Sequence, residues 1–591
     1  MDLRGCSLKY FMENEEVCLN YIKNHLDQIP YLNAISMDGL KDGALVRFRG
    51  MVQDMRSCEY YLDKYEIKKK DTEEVTYKSG RYQDIIECND NEIINQFSNR
   101  NKTSERHPLV LISVPGLNNW VTDIEITKYG NDVEPSLEVT KANTKRKSLE
   151  STEEMEQSSS HSTENESKQI KNDTESSKKL CDESVKESLP TQSNQPLSAE
   201  YLLNLPLPDR GGKVCIVKIY EEEIDIKVNE ILDVVGFISL DPRMTQTSLE
   251  NSLFDCEETE ILAHHPPPSL IPRIQVVHWS RTHHVNPLLH TEIDLSMEKA
   301  TMLCTELKMI FTEILFGDSL AGSYLFYHLI STVYLRKNLA VLGKFTLNFS
   351  NIPQSLVSEF GKNLYEIIEL LVTHSHYLPM TLDNMNELSF IPKKDVDANR
   401  LNSSVLQLAP NTHLILDETQ MSPGRLNSSG CQAIAALNRL IKDQEISYDF
   451  KVYNVDFCHN IPILIVSEGK SMLPSDYHVI LQPNNVHVET YSEVFPAAKL
   501  LLTQELLNDL RQYLTLSKHK KHELPQDIEC LIEEDFVKYR REYDINAQDL
   551  HQLLDLARLV AFGDGKSTID KNSWKSACKL EEERWLRIRG L

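Results

Sequence analysis

The feature that most constrains the fold is a short apolar run, Leu414-Ile415-Leu416, which ends on two adjacent carboxylates, Asp417 and Glu418. Polar residues precede the run and a Pro/Gly loop follows it, a pattern typical of a buried central strand. Ligands bind at the carboxyl end of such a strand in a parallel α/β sheet. In P-loop ATPases an acid at this position holds Mg²⁺, and a second acid orients the attacking water. Carboxylates also end strands for packing alone, so the rest of the chain must decide between these roles.

Strand and helix patterns alternate through the second half of the chain. The candidate strands lie at 345–349, 412–417, 461–467 and 477–481, with helical stretches at 364–372 and 431–441 between them. This alternation predicts a largely parallel α/β sheet. Beyond about residue 500 the pattern is helical, and Asn546 with Asp549 resembles a helix-capping pair. We therefore predict an α/β domain over 303–500 and a helical C-terminal lid over 501–591.

The first half of the chain has the pattern of a small β-barrel. A helical pattern precedes Pro30, and strand patterns follow at 45–54, 60–65, 75–82, 109–114, 214–220 and 231–240. Short strands separated by turn signals indicate a barrel, which we divide between 1–136 (with an N-terminal helix) and 201–262. A Pro-containing extended connector is predicted over 263–302. Arg47 and Arg49 share one strand face, which we interpret as exposed to solvent.

The barrel is interrupted by a segment of different composition, residues 137–200. This segment is rich in Ser, Glu, Lys and Thr and has few large apolar residues, so it cannot bury enough surface to offset the entropy of ordering. We predict a disordered linker. It contains the basic cluster Lys145, Arg146 and Lys147, which is either a nuclear import signal or ordinary linker charge.

Composition excludes several classes of function. The 591 residues carry a formal net charge of −26, which argues against a broad phosphate-binding surface. The twelve cysteines show no zinc spacing and indicate a reducing compartment. Neither a signal-peptide pattern nor an apolar run of membrane-spanning length is present, so we expect a soluble intracellular protein. No cofactor and no metal site are predicted, because the paired histidines lack acidic or Cys partners at ligand spacing.

Taken together, a barrel, a linker, an α/β sheet and a helical lid resemble the mini-chromosome maintenance (MCM) helicase subunits. The closer resemblance is to the MCM complex-binding protein family. It is carried by LVRFRGMVQDM (45–55), VKIYEEEIDIKVNEILDVVGFISLDP (217–242), PPPSLIPRI (266–274), GDSLAGSYLFYHLISTVY (317–334), LGKFTLNFS (342–350) and LLDLARL (553–559). The resemblance implies an OB-like β-barrel with a disordered insertion, followed by a degenerate AAA+-like α/β domain and the helical lid.

The same resemblance implies a function. A member of this family is expected to be nuclear and to bind MCM subunits in place of one ring member. It is expected to regulate DNA replication by promoting MCM disassembly from replicated chromatin and to support sister-chromatid cohesion. Its association with chromatin would be indirect, and direct DNA binding is not expected.

The residues of an ATP site are largely missing. A P-loop needs G-x-x-x-x-G-K-[ST]. Gly317 is followed by Ser323-Tyr324 instead of Lys-Ser/Thr, and Gly361-Lys362 is preceded by Leu356 and followed by Asn363. Ser467 aligns with the polar residue that ends the helicase sensor strand. Asp476 aligns with the arginine finger, and Gln548 aligns with the arginine of the lid. We therefore predict a non-enzyme in which Asp417 and Glu418 are a Walker-B-like remnant.

Three other functions remain open on the sequence. The first is a divergent ATPase that unloads the helicase by using Asp417, Glu418 and Lys362. The second is a chaperone for newly made MCM subunits, which needs the same docking surface as unloading. The third is a nucleic-acid-binding module that uses the barrel face with Arg47 and Arg49.

Overall fold

A computed structural model describes residues 6–70, 75–86, 91–95, 98–130, 197–241, 258–289, 296–337, 340–521 and 528–590. The predicted linker and its basic cluster Lys145-Arg146-Lys147 fall almost wholly on 131–196, outside the described residues. The described residues on the two sides of this gap form one compact unit.

Five strands of the first half close into a ring. They are β1 (Leu45–Met55), β5 (Lys102–Ile112), β6 (Val214–Ile219), β7 (Ile231–Ser239) and β8 (Arg273–Arg281). The pairing order is β1-β7-β8-β6-β5, and β5 pairs again with β1. The β6–β8 pair is parallel and the other four are antiparallel. Closure leaves no free edge within the ring, and alternate side chains such as Val46, Phe48 and Val217 fill its interior.

A further antiparallel sheet extends from β5, and short helices cover the outside of the ring. The added strands are β2 (Glu59–Lys69), β3 (Val75–Ser79) and β4 (Glu92–Ile94). The helices are α1 (Leu8–Glu13), α2 (Glu15–Asn24) and α3 (Asn119–Tyr129). Phe11 and Ile22 of α1 and α2 pack on Val235 and Phe237 of β7.

Two sequence predictions for this half are wrong. Residues 273–281 of the predicted connector form β8, which closes the ring. The sequence RIQVVHWSR has the alternating pattern of a strand. The prolines at 266–268 favoured a connector there, so the predicted end of the barrel lies too early in the chain. Arg47 and Arg49 do not lie on an exposed face, since Arg47 is buried and Arg49 is half-buried under α3.

The second half contains a five-stranded sheet in which every pair is parallel. Its strands are β11 (Leu347–Ser350), β12 (Ser375–Pro379), β15 (His413–Asp417), β18 (Ile463–Val466) and β19 (Tyr477–Ile480), in the order β12-β15-β18-β11-β19. The predicted strands correspond to four of them, and β12 was not predicted. Ile415 of β15 packs in one core while Leu414 and Leu416 pack in another, so this strand is buried on both faces.

The remaining helices include those that cover the two faces of this sheet and those of the C-terminal region. They are α4 (Ala199–Leu203), α5 (Glu258–His264), α6 (Met297–Ile314), α7 (Ser319–Ile330), α8 (Val357–Leu371), α9 (Leu382–Glu387), α10 (Ser428–Asp443), α11 (Asn485–Glu489), α12 (Tyr491–Leu501), α13 (Gln504–Lys518), α14 (Glu529–Tyr543), α15 (Ala547–Gly563) and α16 (Lys571–Arg589). The capping pair is confirmed, since Asn546 and Asp549 form a capping box at the start of α15.

Small sheets complete the second half. Strands β9 (Leu335–Lys337) and β10 (Ala340–Leu342) form a hairpin. A four-stranded sheet is built from β13 (Lys393–Asp395), β14 (Arg400–Asn402), β16 (Glu445–Asp449) and β17 (Asn454–Cys458). Among the described residues, no helix is both long enough and apolar enough to cross a membrane.

The chain between β5 and α3 joins the ring to the parallel sheet. The Ser375 N–H donates to the Gly116 carbonyl (2.9 Å), and the Asn118 N–H donates to the Thr373 carbonyl (3.0 Å). The Trp120 indole N–H donates to the carbonyl of Val372 (2.9 Å). This segment therefore pairs with the start of the edge strand β12.

Candidate functional site

Asp417 ends β15, and its carboxylate is completely buried. Oδ1 accepts hydrogen bonds from the Thr419 hydroxyl (2.6 Å) and the Thr419 N–H (3.1 Å). Oδ2 accepts from the Tyr377 hydroxyl (2.6 Å) and the Gln420 side-chain amide (3.2 Å). A carboxylate offers about four lone-pair positions, so these donors occupy the sites with which an acid here would hold a metal ion.

Helix α8 lies directly against this carboxylate at Gly361. A Cβ added to Gly361 would lie 2.3 Å from Asp417 Oδ2, so only glycine fits the approach. Gly361 and the exposed Lys362 belong to the second turn of α8 and not to the loop that precedes it. That loop, residues 351–356, has the sequence NIPQSL without a glycine, and Glu359 stands in the first turn of the helix.

Glu418 ties the same strand end to a second loop. Its Oε1 accepts from the Ser471 hydroxyl (2.7 Å), and its Oε2 accepts from the Met472 N–H (3.3 Å). Burial raises the pKa of the Glu418 carboxyl, against the lowering effect of these hydrogen bonds. Asp417 and Glu418 together therefore connect β12, α8 and the loop after β18.

Of the positions aligned with the sensor, the finger and the lid arginine, Ser467 lies at the same carboxyl end of the sheet as Asp417, whereas Asp476 and Gln548 lie at the amino end. Ser467, just after β18, donates to the Asn348 side-chain oxygen (2.9 Å). Asp476 precedes β19 and pairs with Lys344 (2.6 Å) at the opposite edge of the sheet from Asp417. The exposed Gln548 lines a cavity beside Asp476. The structure thus groups Gln548 with Asp476, away from the Asp417 carboxylate.

The two barrel arginines are held by acids within the fold. Arg47 makes two hydrogen bonds to the Asp233 carboxylate, at 2.8 and 2.6 Å, and Arg49 makes a third at 3.1 Å. Arg49 also contacts Glu125 of α3 at 3.5 Å. Burial opposes ionisation of Asp233, but Arg47 and Arg49 outweigh it and lower the pKa of its carboxyl. These guanidiniums are therefore not available to a phosphate backbone.

Of the paired histidines, His264 and His265 precede the prolines before β8, whereas His283, His284 and His374 line one cavity. Within the described ranges, no group of three His, Cys, Asp or Glu side chains is arranged to hold a metal ion. His374 immediately precedes β12, where its Nε2 donates to the Pro410 carbonyl (2.8 Å) and its Nδ1 contacts the Thr373 hydroxyl (2.6 Å). Sequence reasoning considered these histidines only as metal ligands and missed the cavity that some of them line.

Comparison with known proteins places this arrangement in a family. Residues 18–588 match the sequence profile of the mini-chromosome maintenance replisome factor family. A Drosophila melanogaster protein named mini-chromosome maintenance complex-binding protein is 38% identical over 95% of this chain and 93% of its own length. Proteins of the same name from Mus musculus and Homo sapiens are 36% and 35% identical, each over 97% of this chain and 94% of its own length. The chain therefore belongs to the mini-chromosome maintenance replisome factor family.

Proposed function

We propose that the protein is a non-catalytic partner of the MCM helicase subunits that takes the place of one ring member. The relatives' name supports MCM binding. The proposal that the protein is not a catalyst rests mainly on Asp417. Donors within the fold make four hydrogen bonds to its carboxylate, and helix α8 covers it.

The parallel sheet and the five-stranded ring both support a structural resemblance to a subunit of a ring ATPase. If the five strands of the parallel sheet are numbered along the chain, their order across the sheet is 2-3-4-1-5. This strand order is typical of AAA+ ATPase domains. The five-stranded ring, with its single parallel pair, supports an OB-like barrel. A shape of this kind lets the chain use the contacts by which ring subunits recognise each other.

The mechanism follows from how ring ATPases build their sites. Neighbouring subunits complete one another's ATP sites, and an arginine supplied across the interface contributes about 10³–10⁵-fold to the rate. A subunit without that arginine and without a phosphate loop leaves the adjoining site inert and the ring incomplete. We propose that this is how the protein promotes MCM disassembly from replicated chromatin, with consequences for DNA replication and sister-chromatid cohesion.

Nuclear localisation is part of the same proposal. It is supported by the basic cluster Lys145-Arg146-Lys147, which lies outside the described residues. Replacing the three residues with alanine in the full chain, fused to a fluorescent protein, should shift the protein from nucleus to cytoplasm. Unchanged nuclear fluorescence would assign import to another signal or to a bound partner.

The test of binding uses the tagged full chain in a nuclear extract. We expect several MCM subunits to co-purify with it, with one ring member absent or depleted, and we expect purified rings to lose a subunit when the chain is added. Failure to retain any MCM subunit would overturn the proposal. Recovery of all ring members in equal amounts would overturn the substitution mechanism.

The test of catalysis is separate. The purified chain should show no Mg²⁺-dependent ATP turnover, and Lys362→Ala should behave as the control variant Lys575→Ala, which changes an exposed lysine on α16. ATP binding that Lys362→Ala abolishes and Lys575→Ala preserves would instead favour the divergent ATPase.

A further inference from the structure

A cavity of about 190 Å³ lies at the amino ends of the parallel strands, whereas Asp417 lies at their carboxyl ends. It is formed where β12 and β15 begin, where β8 ends and where α13 ends. Its floor is the side chain of Lys518, the last residue of α13, which is 8% exposed. The cavity is therefore built from both halves of the chain and is separate from the Asp417 site.

The hydrogen bonds at the floor run in one direction. His328 Nδ1 contacts the Phe345 carbonyl (3.0 Å), which can only accept, so this nitrogen must donate. His328 Nε2 is then the acceptor for His413 Nδ1 (3.5 Å), and His413 Nε2 is left to accept from Lys518 (2.8 Å). Lys518 thus donates one hydrogen to His413, and both imidazoles are neutral.

The amine of Lys518 lacks a counter-charge among the described residues. Its one hydrogen bond there is to a neutral ring, so an ammonium at this position has two N–H groups left to donate. Burial lowers the pKa of Lys518 to about 7. A buried cation without an acid costs free energy unless a ligand brings the missing negative charge.

The walls and mouth of the cavity are also rich in basic and imidazole groups. Arg281, His283 and His519 are exposed at the mouth, and His284 Nδ1 is buried there without a hydrogen-bond partner. Among the described residues that line the cavity, the one carboxylate is Glu230, which Arg281 already binds at 3.0 Å. This concentration of donors stands out on a chain with a formal net charge of −26.

We propose that this cavity binds a small oxyanion of the phosphate or sulfate class, held by Lys518 at the floor and by the donors at the mouth. The anion favours the ammonium form of Lys518, so binding takes up a proton near neutral pH. His374 and His413 face Lys518 as neutral rings, because burial lowers the pKa of His374 to about 4 and that of His413 further. One side of the His519 ring is exposed at the mouth, but desolvation on the cavity side and the nearby charge of Lys518 lower its pKa to about 4, so His519 is neutral in the same range.

Sulfate is the sharper probe, because its charge does not change between pH 6 and 9. Titration calorimetry of the full chain in two buffers of different ionisation enthalpy measures both affinity and proton uptake. We expect sulfate affinity to rise roughly 20-fold between pH 8.5 and pH 6.5, with uptake of close to one proton at pH 8, as linkage to a group of pKa about 7 requires. Inorganic phosphate serves as the second probe, at one pH.

The variant that tests the site is Lys518→Met, which keeps an unbranched side chain and removes the charge. Its control is Lys521→Met, which removes the same charge from an exposed residue outside the cavity. We expect Lys518→Met to weaken sulfate at least about tenfold and to abolish proton uptake, with Lys521→Met close to the parent protein. Equal affinities in the two variants would overturn the proposal. Sulfate binding by the parent chain without proton uptake would overturn it even if Lys518→Met did not fold.

Discussion

At the scale of single residues, the carboxylate of Asp417 acts as a junction. It receives hydrogen bonds from β12 and from the turn that follows its own strand, and it is completely buried. Removing this acceptor leaves the half-buried Tyr377 hydroxyl and the half-buried Thr419 N–H without their carboxylate partner, and each group left unsatisfied costs about 1–3 kcal/mol.

We therefore predict that Asp417→Ala lowers the free energy of unfolding by about 3 kcal/mol. Glu418→Ala is the matched comparison, since Glu418 is only half-buried and has fewer donors, and it should cost about 1 kcal/mol. Urea denaturation of the two variants measures both values. An Asp417→Ala protein as stable as the parent would show that the four donors find water or other partners instead.

The arginines of β1 make a second prediction at this scale. Asp233→Ala leaves Arg47 buried without its carboxylate, and breaking a buried pair in this way typically costs about 3–5 kcal/mol. Asp225→Ala is the control on the same barrel, because Asp225 is 87% exposed and meets Arg281 at 3.5 Å. It should change stability by less than about 1 kcal/mol. Thermal unfolding compares the variants, and similar losses for both would contradict the assignment of a buried pair.

At the scale of elements, helix α8 depends on one glycine to reach the sheet. Gly361→Ala would place a methyl group 2.3 Å from Asp417 Oδ2 and force α8 away from β15, which we expect to cost about 2–4 kcal/mol. Gly469→Ala is the control, since a Cβ there meets no atom within 4 Å and its backbone needs no positive φ. Denaturation midpoints should fall for the first variant and stay nearly constant for the second; the reverse order would exclude close packing as the role of Gly361.

The elements also show what could be predicted from the sequence. Strands β15 and β18 are apolar runs because both of their faces are buried, and that signal is local. Strand β12, with the sequence SHYLP, lies at the sheet edge and carries two polar residues, so it lacks the signal. The prediction for the face of Arg47 failed because the partner that buries it, Asp233, is 186 residues away. The Lys518 cavity is assembled from several separated segments, so no local pattern indicated it.

At the scale of the whole molecule, the ring shares buried polar contacts with the four-stranded sheet of the second half. Gln53 of β1 donates to the Leu401 carbonyl (2.9 Å), and the Asn229 side-chain amide donates to the Tyr448 hydroxyl (2.8 Å). The guanidinium of Arg511 on α13 lies 4.1 Å from the ring centre of Trp120, near the start of α3. Because ring strands precede and follow residues 131–196, separating the chain there would divide the ring itself.

Buried histidines make the stability of this assembly depend on pH. Burial lowers the pKa of His328 and His459 to about 3 and that of His374 to about 4, from an unfolded value near 6.5. Between these values the unfolded chain binds more protons, so the stabilisation is present above pH 6.5 and is lost as the pH falls towards 4. We expect each histidine to contribute on the order of 2 kcal/mol to this loss.

The variant His459→Gln isolates one of these contributions. Glutamine keeps an acceptor for the Asn229 amide, which lies 3.1 Å from His459 Nε2, but it does not titrate. Between pH 7 and pH 5 the unfolding free energy of His459→Gln should therefore fall less than that of the parent. The difference in slope corresponds to roughly one proton fewer taken up on unfolding. His551→Gln, at an exposed position, is the control for the substitution itself. Identical slopes for both variants would mean that His459 takes up its proton in the folded chain. The contact between the ring and the four-stranded sheet would then have to open.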